Sequence, residues 1–279
     1  MLGIGRSGTS AIARSLRVFN VELGCNLTPP EANVNEKGFW ENEDVLALNR
    51  AMLNFIDSDW DKVPIPIDAD DLQRLLKSEF FQRACALINR KSMSGDIFGF
   101  KDGRTTKLIP FWEKVFIETD CEVFYLIAFR NPMGVAESYN KYIGISRKQI
   151  YSLWAGYLIT SLIHSQGYKR ALVNYDRLLE QPEQELNHIS NKLLLEIRSD
   201  ELSAYMSEFL DTKLRHHIYN LDDLECEKAV PQLAKDMYAS LVRLCKEETI
   251  FDSFILRTLV SRWSLKWREL EASMAHRTP

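Results

Sequence analysis

A glycine-rich turn near the start of the chain most strongly limits how it can fold. Residues 3–10 read GIGRSGTS, with glycine at positions 3, 5 and 8 and hydroxyl groups at positions 7, 9 and 10. Glycine lets the backbone adopt left-handed dihedrals, which turn successive N–H groups inward. The next residues, AIARSLRVF, place Ile12, Leu16 and Phe19 on one helical face. The sequence therefore predicts a short strand, a phosphate- or sulfate-binding turn, and a helix.

The turn has the glycine spacing of a nucleotide-hydrolase phosphate loop but lacks its lysine. That loop reads GxxxxGK[ST], and Thr9 stands where the lysine belongs. Arg6 is the only cation in the turn, and a guanidinium offers several donors to an anion. We therefore expect an anion-binding turn served by Arg6. The alternative is an ordinary glycine turn with an arginine on the surface.

A second candidate anion site follows the most apolar segment of the chain. Residues 122–129, EVFYLIAF, have the composition of a strand that is buried on both faces of a parallel sheet. Arg130 stands at the carboxyl end of this segment, Pro132 opens a helix, and Ser138 lies two turns along it. Arginine with a hydroxyl group suits a phosphate, which arginine binds with two donors. A salt bridge from Arg130 to a neighbouring carboxylate is the alternative.

Segments that suit strands alternate with helical periodicity through much of the chain. Besides residues 122–129, strands are predicted over residues 97–101 and 171–175. This alternation predicts an α/β protein with a central parallel sheet flanked by helices. Ligands of such proteins bind at the carboxyl ends of the strands, which is where the two candidate anion sites fall.

The remaining pattern is helical. One long helix is predicted to end near Lys91, with Asp68 or Asp70 as its cap. Beyond Leu194 the periodicity is helical to the end of the chain. We expect one domain over residues 1–279, in which residues 195–279 form a mainly helical extension.

Composition excludes several classes of protein. The net charge of −4 argues against a general nucleic-acid binder. The five cysteines form no CxxC pair and no cluster with zinc spacing, so we expect buried or free thiols in a reducing compartment and no metal site. No run of about eighteen apolar residues and no signal-peptide pattern occurs. The sequence therefore predicts a soluble, cytoplasmic protein without a membrane span.

Two phosphate motifs in this order resemble a known family. GIGRSGTSAIARSL resembles the 5′-phosphosulfate loop, and FRNPMGVAESY the 3′-phosphate motif, of sulfotransferases that use 3′-phosphoadenosine-5′-phosphosulfate (PAPS). VNYDRLLEQPEQEL resembles a later segment of that family, and KGFWENEDVLALN and FKDGRTTKLIPFW resemble segments of its bacterial members. The resemblance covers roughly residues 1–220. It implies a P-loop NTPase-like fold and transfer of a sulfuryl group from PAPS to a hydroxyl or amine acceptor, with a carbohydrate-like acceptor favoured.

The resemblance also implies roles for individual residues. The 5′ end of PAPS would be held by four residues of the turn: Ser7, Gly8, Thr9 and Ser10. Arg6 would steady the bridging oxygen as charge builds on the leaving phosphate, without a metal. Arg130 and Ser138 would bind the 3′-phosphate, the group that distinguishes PAPS from ATP.

The general base is open among several carboxylates. Members of the animal cytosolic type use a histidine shortly after a lysine, but here Lys101 is followed by Asp102, Gly103 and Arg104. Carbohydrate-type members use a glutamate after the first helix, where this chain has Glu31, Glu36, Glu41 and Glu43. We favour Glu41, which follows the pair Phe39-Trp40, then Glu36, then Asp102. Each of these is alternatively a solvated loop charge.

Other functions and roles remain open at this point. A kinase or nucleotide hydrolase would need the missing loop lysine. A protein that binds PAPS or PAP, its desulfated product, without activity would have lost the base. Lys101 and Arg104 would add charge to the cleft or form ordinary ion pairs. Arg215, His216 and His217 would form a lid over the nucleotide or a surface turn.

Two expectations concern the ends of the chain. Aromatic residues of the last fifty positions, including Trp263 and Trp267, recur at helical spacing and predict core packing or a homodimer contact. Only Met1 and Leu2 precede the first glycine, which is short for a central strand. We expect that the natural start lies upstream and that the added residues would raise thermal stability.

Overall fold

The chain folds into a mixed α/β structure that is mostly helical. The computed structural model describes residues 1–32, 34–93, 97–211, 217–246 and 254–275. The helices of these residues are α1 Thr9–Ser15, α2 Glu43–Phe55, α3 Ala69–Leu76, α4 Glu79–Ser92, α5 Gly103–Lys107, α6 Ile109–Glu118, α7 Pro132–Ile143, α8 Arg147–His164, α9 Tyr175–Glu180, α10 Pro182–Leu193, α11 Ser199–Ala204, α12 Leu221–Cys226, α13 Gln232–Lys246 and α14 Phe254–Ala275. A 3₁₀ turn, Leu16–Phe19, extends α1, and a π-helical turn, Tyr205–Phe209, extends α11.

Two parallel strands form the sheet of the described residues. Strands β1, Phe124–Phe129, and β2, Lys169–Asn174, pair in register from their first residues to their last. Leu2 lies beside β1: its N–H donates to Leu126 and its carbonyl accepts from Ala128, at 2.8 and 2.9 Å. The predicted α/β class is confirmed in this coarse form, whereas a larger P-loop-like sheet stays a prediction.

The predicted strand over residues 97–101 is reduced to a single bridge. Phe98 pairs with Glu22 in the parallel sense, without a longer ladder. The backbone of Glu22 accepts from Gly99 and donates to Ile97, both at 2.8 Å. Gly99 is tightly enclosed here, because a Cβ on it would lie 2.6 Å from Val21. The segment therefore lies extended, but it does not form a strand.

The long helix predicted to end near Lys91 is wrong as a single element. Asp68 caps α3 as expected, since its side chain accepts from the N–H of Asp71 at 2.9 Å. The helical structure is then interrupted at Ser78, whose hydroxyl accepts from the N–H of Phe80 at 3.2 Å and so caps α4. A serine hydroxyl competes with the helix for backbone groups, which favours a new helix start at this position.

Helix α8 forms the centre of the core. Its side chains from Ile150 to Leu162 are all buried, so the helix is enclosed on every side. Trp267 of α14 donates from its ring nitrogen to the carbonyl of Ser152 at 3.0 Å. The Trp267 ring also fills the space at Gly156, where a Cβ would lie 2.4 Å away. Burial of Trp267 against α8 confirms core packing for this residue; a homodimer contact stays a prediction.

A buried amide fixes the segment that precedes α5. Asn49 of α2 donates to the carboxylate of Asp102 at 2.9 Å and to the hydroxyl of Thr105 at 3.1 Å. Its carbonyl oxygen accepts from the ring nitrogen of Trp112 at 2.9 Å. All four side chains are buried. The hydrogen bonds among them offset the cost of removing their polar atoms from water. The backbone around Lys101 is consequently held against α2 and α6.

A second buried network supports the carboxyl end of β2. Glu185 is 1 % exposed and accepts from the N–H of Asn174 at 3.1 Å. It also pairs with Arg177, with 3.1 Å between Oε2 and Nε. Burial raises the pKa of Glu185 to about 7, although Arg177 and the N–H of Asn174 act in the opposite direction. Glu185 of α10, which binds Asn174 and Arg177, therefore fixes the first turn of α9.

No helix within the described residues combines the length and the apolar character that a bilayer crossing requires.

Replacing Glu185 by glutamine should change how stability depends on pH. The folded-state pKa of about 7 lies above the ordinary 4.5, so the stabilising effect of the bound proton is complete below pH 4.5 and is lost as pH rises through 7. Glutamine does not titrate. We expect the unfolding free energy of Glu185→Gln, relative to that of the parent chain, to rise by up to about 3 kcal/mol as the pH increases from 4.5 to 8.

Urea unfolding at several pH values measures this difference. Glu122→Gln is the matched control, because Glu122 is mostly exposed and pairs with Lys169 on the surface. A difference between Glu185→Gln and the parent that stays constant with pH would contradict the assignment.

Candidate functional site

The glycine-rich turn lies against β1 and α9. Gly3 has a φ of 136°, and a Cβ on it would lie 2.7 Å from the carbonyl oxygen of Ala128. Gly8 has a φ of 75°, and a Cβ on it would lie 1.9 Å from the ring of Tyr175. Both positions therefore require glycine, for backbone conformation and for space. The turn is held close to the carboxyl ends of β1 and β2, as the sequence predicted.

Arg6 links the turn to α7 and to the loop before α2. Its own φ is 62°, in the left-handed region that a residue with a side chain occupies only at a cost of about 1–2 kcal/mol. Its Nε donates to the hydroxyl of Ser138 at 2.8 Å, across 132 positions of the chain. Its other nitrogens lie 3.5 Å from the carbonyl oxygen of Val34, and its guanidinium lies over the ring of Tyr142 at 5.0 Å. Among the described residues, Arg6 therefore has neutral partners only.

The hydroxyl groups of the turn differ in their surroundings. Ser7 is fully buried, and within the described part of the chain its hydroxyl has no hydrogen-bond partner. Thr9 is 6 % exposed at the start of α1. The hydroxyl of Ser10 accepts from the side-chain amide of Asn35 at 2.9 Å and lies 3.4 Å from Nζ of Lys101. Serine hydroxyls in this state retain donor capacity for a ligand.

Arg130 is enclosed where β1 ends. It is 7 % exposed, and its Nη2 donates to the carbonyl of His217 at 2.6 Å. Its guanidinium lies over the ring of Tyr175 at 5.0 Å, and its Nε lies 3.8 Å from the carboxylate of Asp176. Gly134 leaves room for this arrangement, since a Cβ there would lie 3.1 Å from Nε. The salt bridge considered from the sequence is therefore present, on a residue that also borders the cavity described next.

One cavity of about 180 Å³ joins the two predicted anion sites. From the turn and α1 it is lined by Arg6, Gly8, Thr9 and Ser10. From the segment after β1 it is lined by Arg130 and Ser138. Ser7 lies behind this surface and is not among the lining residues. The cavity wall therefore carries two guanidinium groups and several hydroxyl groups, together with Lys37 and the carboxylates of Glu36 and Asp211. The two guanidinium groups suit an anion with more than one charged group.

The candidate bases differ in their access to this cavity. Glu36 is exposed and lines it. Glu41 instead pairs with Lys101, with 2.8 Å between Oε1 and Nζ, and both groups are largely buried. Asp102 is 2 % exposed, caps α5 and pairs with Arg104 at 3.0 Å. Lys101 and Arg104 thus form the ion pairs that the sequence left as an alternative.

Sequence reasoning assigned no role to Tyr142 or Asp176. Tyr142 lines the cavity at the end of α7, where Arg6 stacks on it. Asp176 follows Tyr175 in the segment VNYDRLL. This pair of a tyrosine and an acidic residue directly after a strand is the sequence feature that could have pointed to Asp176. His217 lines the cavity, whereas Arg215 and His216 lie outside the described residues, so their predicted lid is not described.

A larger cavity of about 420 Å³ lies at the opposite end of β1. It is bordered by Phe124 and Leu126 of that strand and by Phe98 and Phe116. None of the candidate site residues lines it. The smaller cavity therefore carries the candidate site, because charge and hydroxyl groups converge there.

Replacing Gly8 by alanine should destabilise the chain far more than the same change at Gly144. The two residues share a backbone conformation, with φ of 75° and 76°, but nothing lies within 4 Å of a Cβ at Gly144. Gly144→Ala should lose about 1 kcal/mol of unfolding free energy for the left-handed dihedral. Gly8→Ala should lose roughly 1–3 kcal/mol more, because the added methyl group overlaps the Tyr175 ring. Equal losses in urea unfolding would show that the ring does not pack against the turn.

No family model matches the chain, and comparison with curated proteins and with solved structures gives no match either. Within the described residues, no group of three or more His, Cys, Asp or Glu side chains is placed to hold a metal ion.

Proposed function

We propose that the chain is a sulfotransferase that moves the sulfuryl group of PAPS to a hydroxyl or amine acceptor and releases PAP. The observation that carries the proposal is the convergence of Arg6 and Arg130, which are 124 positions apart in the chain, on one cavity. A nucleotide with phosphate groups at both its 5′ and 3′ positions needs two such anion-binding groups. ATP carries its phosphates in one row and has no second group for Arg130.

The turn offers features that fit the 5′ end of such a nucleotide. Thr9 and Ser10 present hydroxyl groups at the cavity wall, whereas the buried hydroxyl of Ser7 lies behind it. Gly8 lines the cavity and has no side chain, so it presents only backbone atoms to a ligand. Arg6 brings a positive charge whose described partners are all neutral. An anion at this place would therefore gain both a charge partner and a donor.

The second phosphate is assigned to Arg130. An arginine has five N–H donors, and Arg130 borders the cavity while it contacts His217 and Asp176. Ser138 adds a hydroxyl group, which in this structure accepts from Arg6. The cavity of about 180 Å³ is smaller than pockets that enclose whole ligands, roughly 300 Å³ or more. We therefore expect it to take the phosphate groups rather than the whole nucleotide.

The proposed reaction needs positioning and charge stabilisation. The acceptor oxygen or nitrogen attacks sulfur, the bond from sulfur to the bridging phosphate oxygen breaks, and PAP leaves with the bond electrons. Arg6 would stabilise the charge that builds on that leaving oxygen. The acceptor proton passes to a general base. Glu36 is the candidate carboxylate that lines the cavity, whereas Glu41 and Asp102 are engaged with cations.

A binding protein without activity is the second candidate. The engagement of Glu41 with Lys101 and of Asp102 with Arg104 favours it, since only Glu36 among the three favoured bases lines the cavity. The two candidates share the nucleotide site and differ only in turnover. Nucleotide binding is therefore the first property to test.

Calorimetric titration with PAP, with adenosine 5′-phosphate and with ATP plus magnesium tests the nucleotide assignment. We expect PAP to bind most tightly and without metal, because it alone has the 3′-phosphate. Arg130→Ala should weaken PAP binding by roughly 10- to 100-fold and leave adenosine 5′-phosphate within about twofold. Ser138→Ala, which leaves both arginines in place, should cause a smaller loss in the same direction.

Arg147→Ala is the matched control, since Arg147 pairs with Glu137 at 2.7 Å and is half-exposed away from the cavity wall. Thermal unfolding of each variant shows whether it is folded. Tighter binding of ATP with magnesium, or equal losses for Arg130→Ala and Arg147→Ala, would exclude the proposed nucleotide.

Turnover with PAPS and a panel of alcohols, sugars and amines tests the base. Once an acceptor is found, Glu36→Gln should lower kcat by roughly 10²- to 10⁴-fold while PAP affinity changes by less than about threefold. Glu31→Gln, in the same loop but outside the cavity lining, is the control. Unchanged kcat in Glu36→Gln would remove Glu36 as the base and return the assignment to Glu41.

A further inference from the structure

The first turn of α9 contacts both proposed anion-binding segments. The ring of Tyr175 occupies the space that a side chain at Gly8 would need. The guanidinium of Arg130 lies over the same ring, 5.0 Å from its centre. The next residue, Asp176, faces Arg130 with its carboxylate. The first turn of α9 therefore fixes the position of the glycine-rich turn relative to Arg130.

Asp176 and Arg130 form a buried ion pair. Each residue is 7 % exposed, and Oδ1 lies 3.8 Å from Nε. That distance is long for a hydrogen bond, so the attraction is between charges. Charges at this separation interact strongly where water is excluded. The carboxylate consequently restrains where the guanidinium can lie.

The position of Asp176 is set from outside the cavity. Its backbone N–H donates to the side-chain oxygen of Asn174 at 2.9 Å. The backbone N–H of Asn174 donates in turn to Glu185, which pairs with Arg177. This network belongs to β2, α9 and α10, and neither Asp176 nor Glu185 lines the cavity. A ligand in the cavity would therefore meet Arg130 but not the carboxylate that restrains it.

We infer that Asp176 is a positioning residue, which restrains the guanidinium of Arg130 at the cavity wall, and that the site consequently prefers a ligand with a second phosphate. The pairing rests on the described contacts, whereas the ligand rests on the proposed function. A carboxylate that acted only through its charge would repel a phosphate. Positioning and simple repulsion therefore predict opposite effects when the charge of Asp176 is removed.

Binding of PAP and adenosine 5′-phosphate to Asp176→Asn distinguishes these effects. Positioning predicts that the ratio of the two affinities falls roughly tenfold, entirely through weaker PAP binding. Asp176→Glu, which retains the charge, should keep the ratio closer to that of the parent. Asp200→Asn is the control, because Asp200 pairs with Arg198 at 2.7 Å on the surface. Tighter PAP binding, equal losses for both ligands, or no change in Asp176→Asn would overturn the inference.

A double-mutant cycle tests the pairing without any ligand. Unfolding free energies of Asp176→Asn, Arg130→Ala and the double variant are compared with that of the parent. A restraining pair predicts that the double variant loses clearly less than the sum of the two single losses. Additive losses would overturn the inference. If the parent shows no preference for PAP over adenosine 5′-phosphate, the proposed function fails and this cycle alone decides the role of Asp176.

Discussion

The packing of the Tyr175 ring against Gly8 is the constraint on which the candidate site depends. A side-chain atom at Gly8 would fall 1.9 Å from that ring, so the turn approaches α9 only because glycine stands there. The register of the sheet makes the contact available. Phe129 of β1 pairs with Asn174 of β2, so the next residue of each strand segment, Arg130 and Tyr175, emerges at the same edge. The turn joins them there because Leu2 pairs beside β1.

The cationic side chains at this edge of the sheet differ in the partners that they contact. Lys101 is largely buried and pairs with Glu41, and Arg130 is largely buried and pairs with Asp176. Burial of a cation is costly without such a partner. Arg6 differs, since its described partners are a hydroxyl group, a carbonyl group and an aromatic ring. The positive charge of Arg6, in a strained backbone conformation beside the buried hydroxyl of Ser7, is the group with which the proposed anion would pair.

Much of this arrangement could be predicted from short sequence patterns. The glycine turn, the helix after Pro132 and the buried strand before Arg130 depend on local dihedral preferences and on unbroken apolar composition, which a sequence displays directly. The break at Ser78 was missed because apolar periodicity continues across it, while a hydroxyl cap decides where the helix restarts. The sequence allowed an ion pair for Lys101, but its partner Glu41 was beyond prediction, since sixty positions separate the two residues and only the fold brings them together.

Binding of both phosphate-bearing ends of a single nucleotide in one cavity is best tested by a crystal structure of the chain with PAP. We expect the 5′-phosphate at the turn, within hydrogen-bond distance of Arg6 and residues 7–10, and the 3′-phosphate at Arg130 and Ser138. PAP bound elsewhere, or bound in this cavity with its 3′-phosphate directed away from Arg130 into solvent, would contradict it.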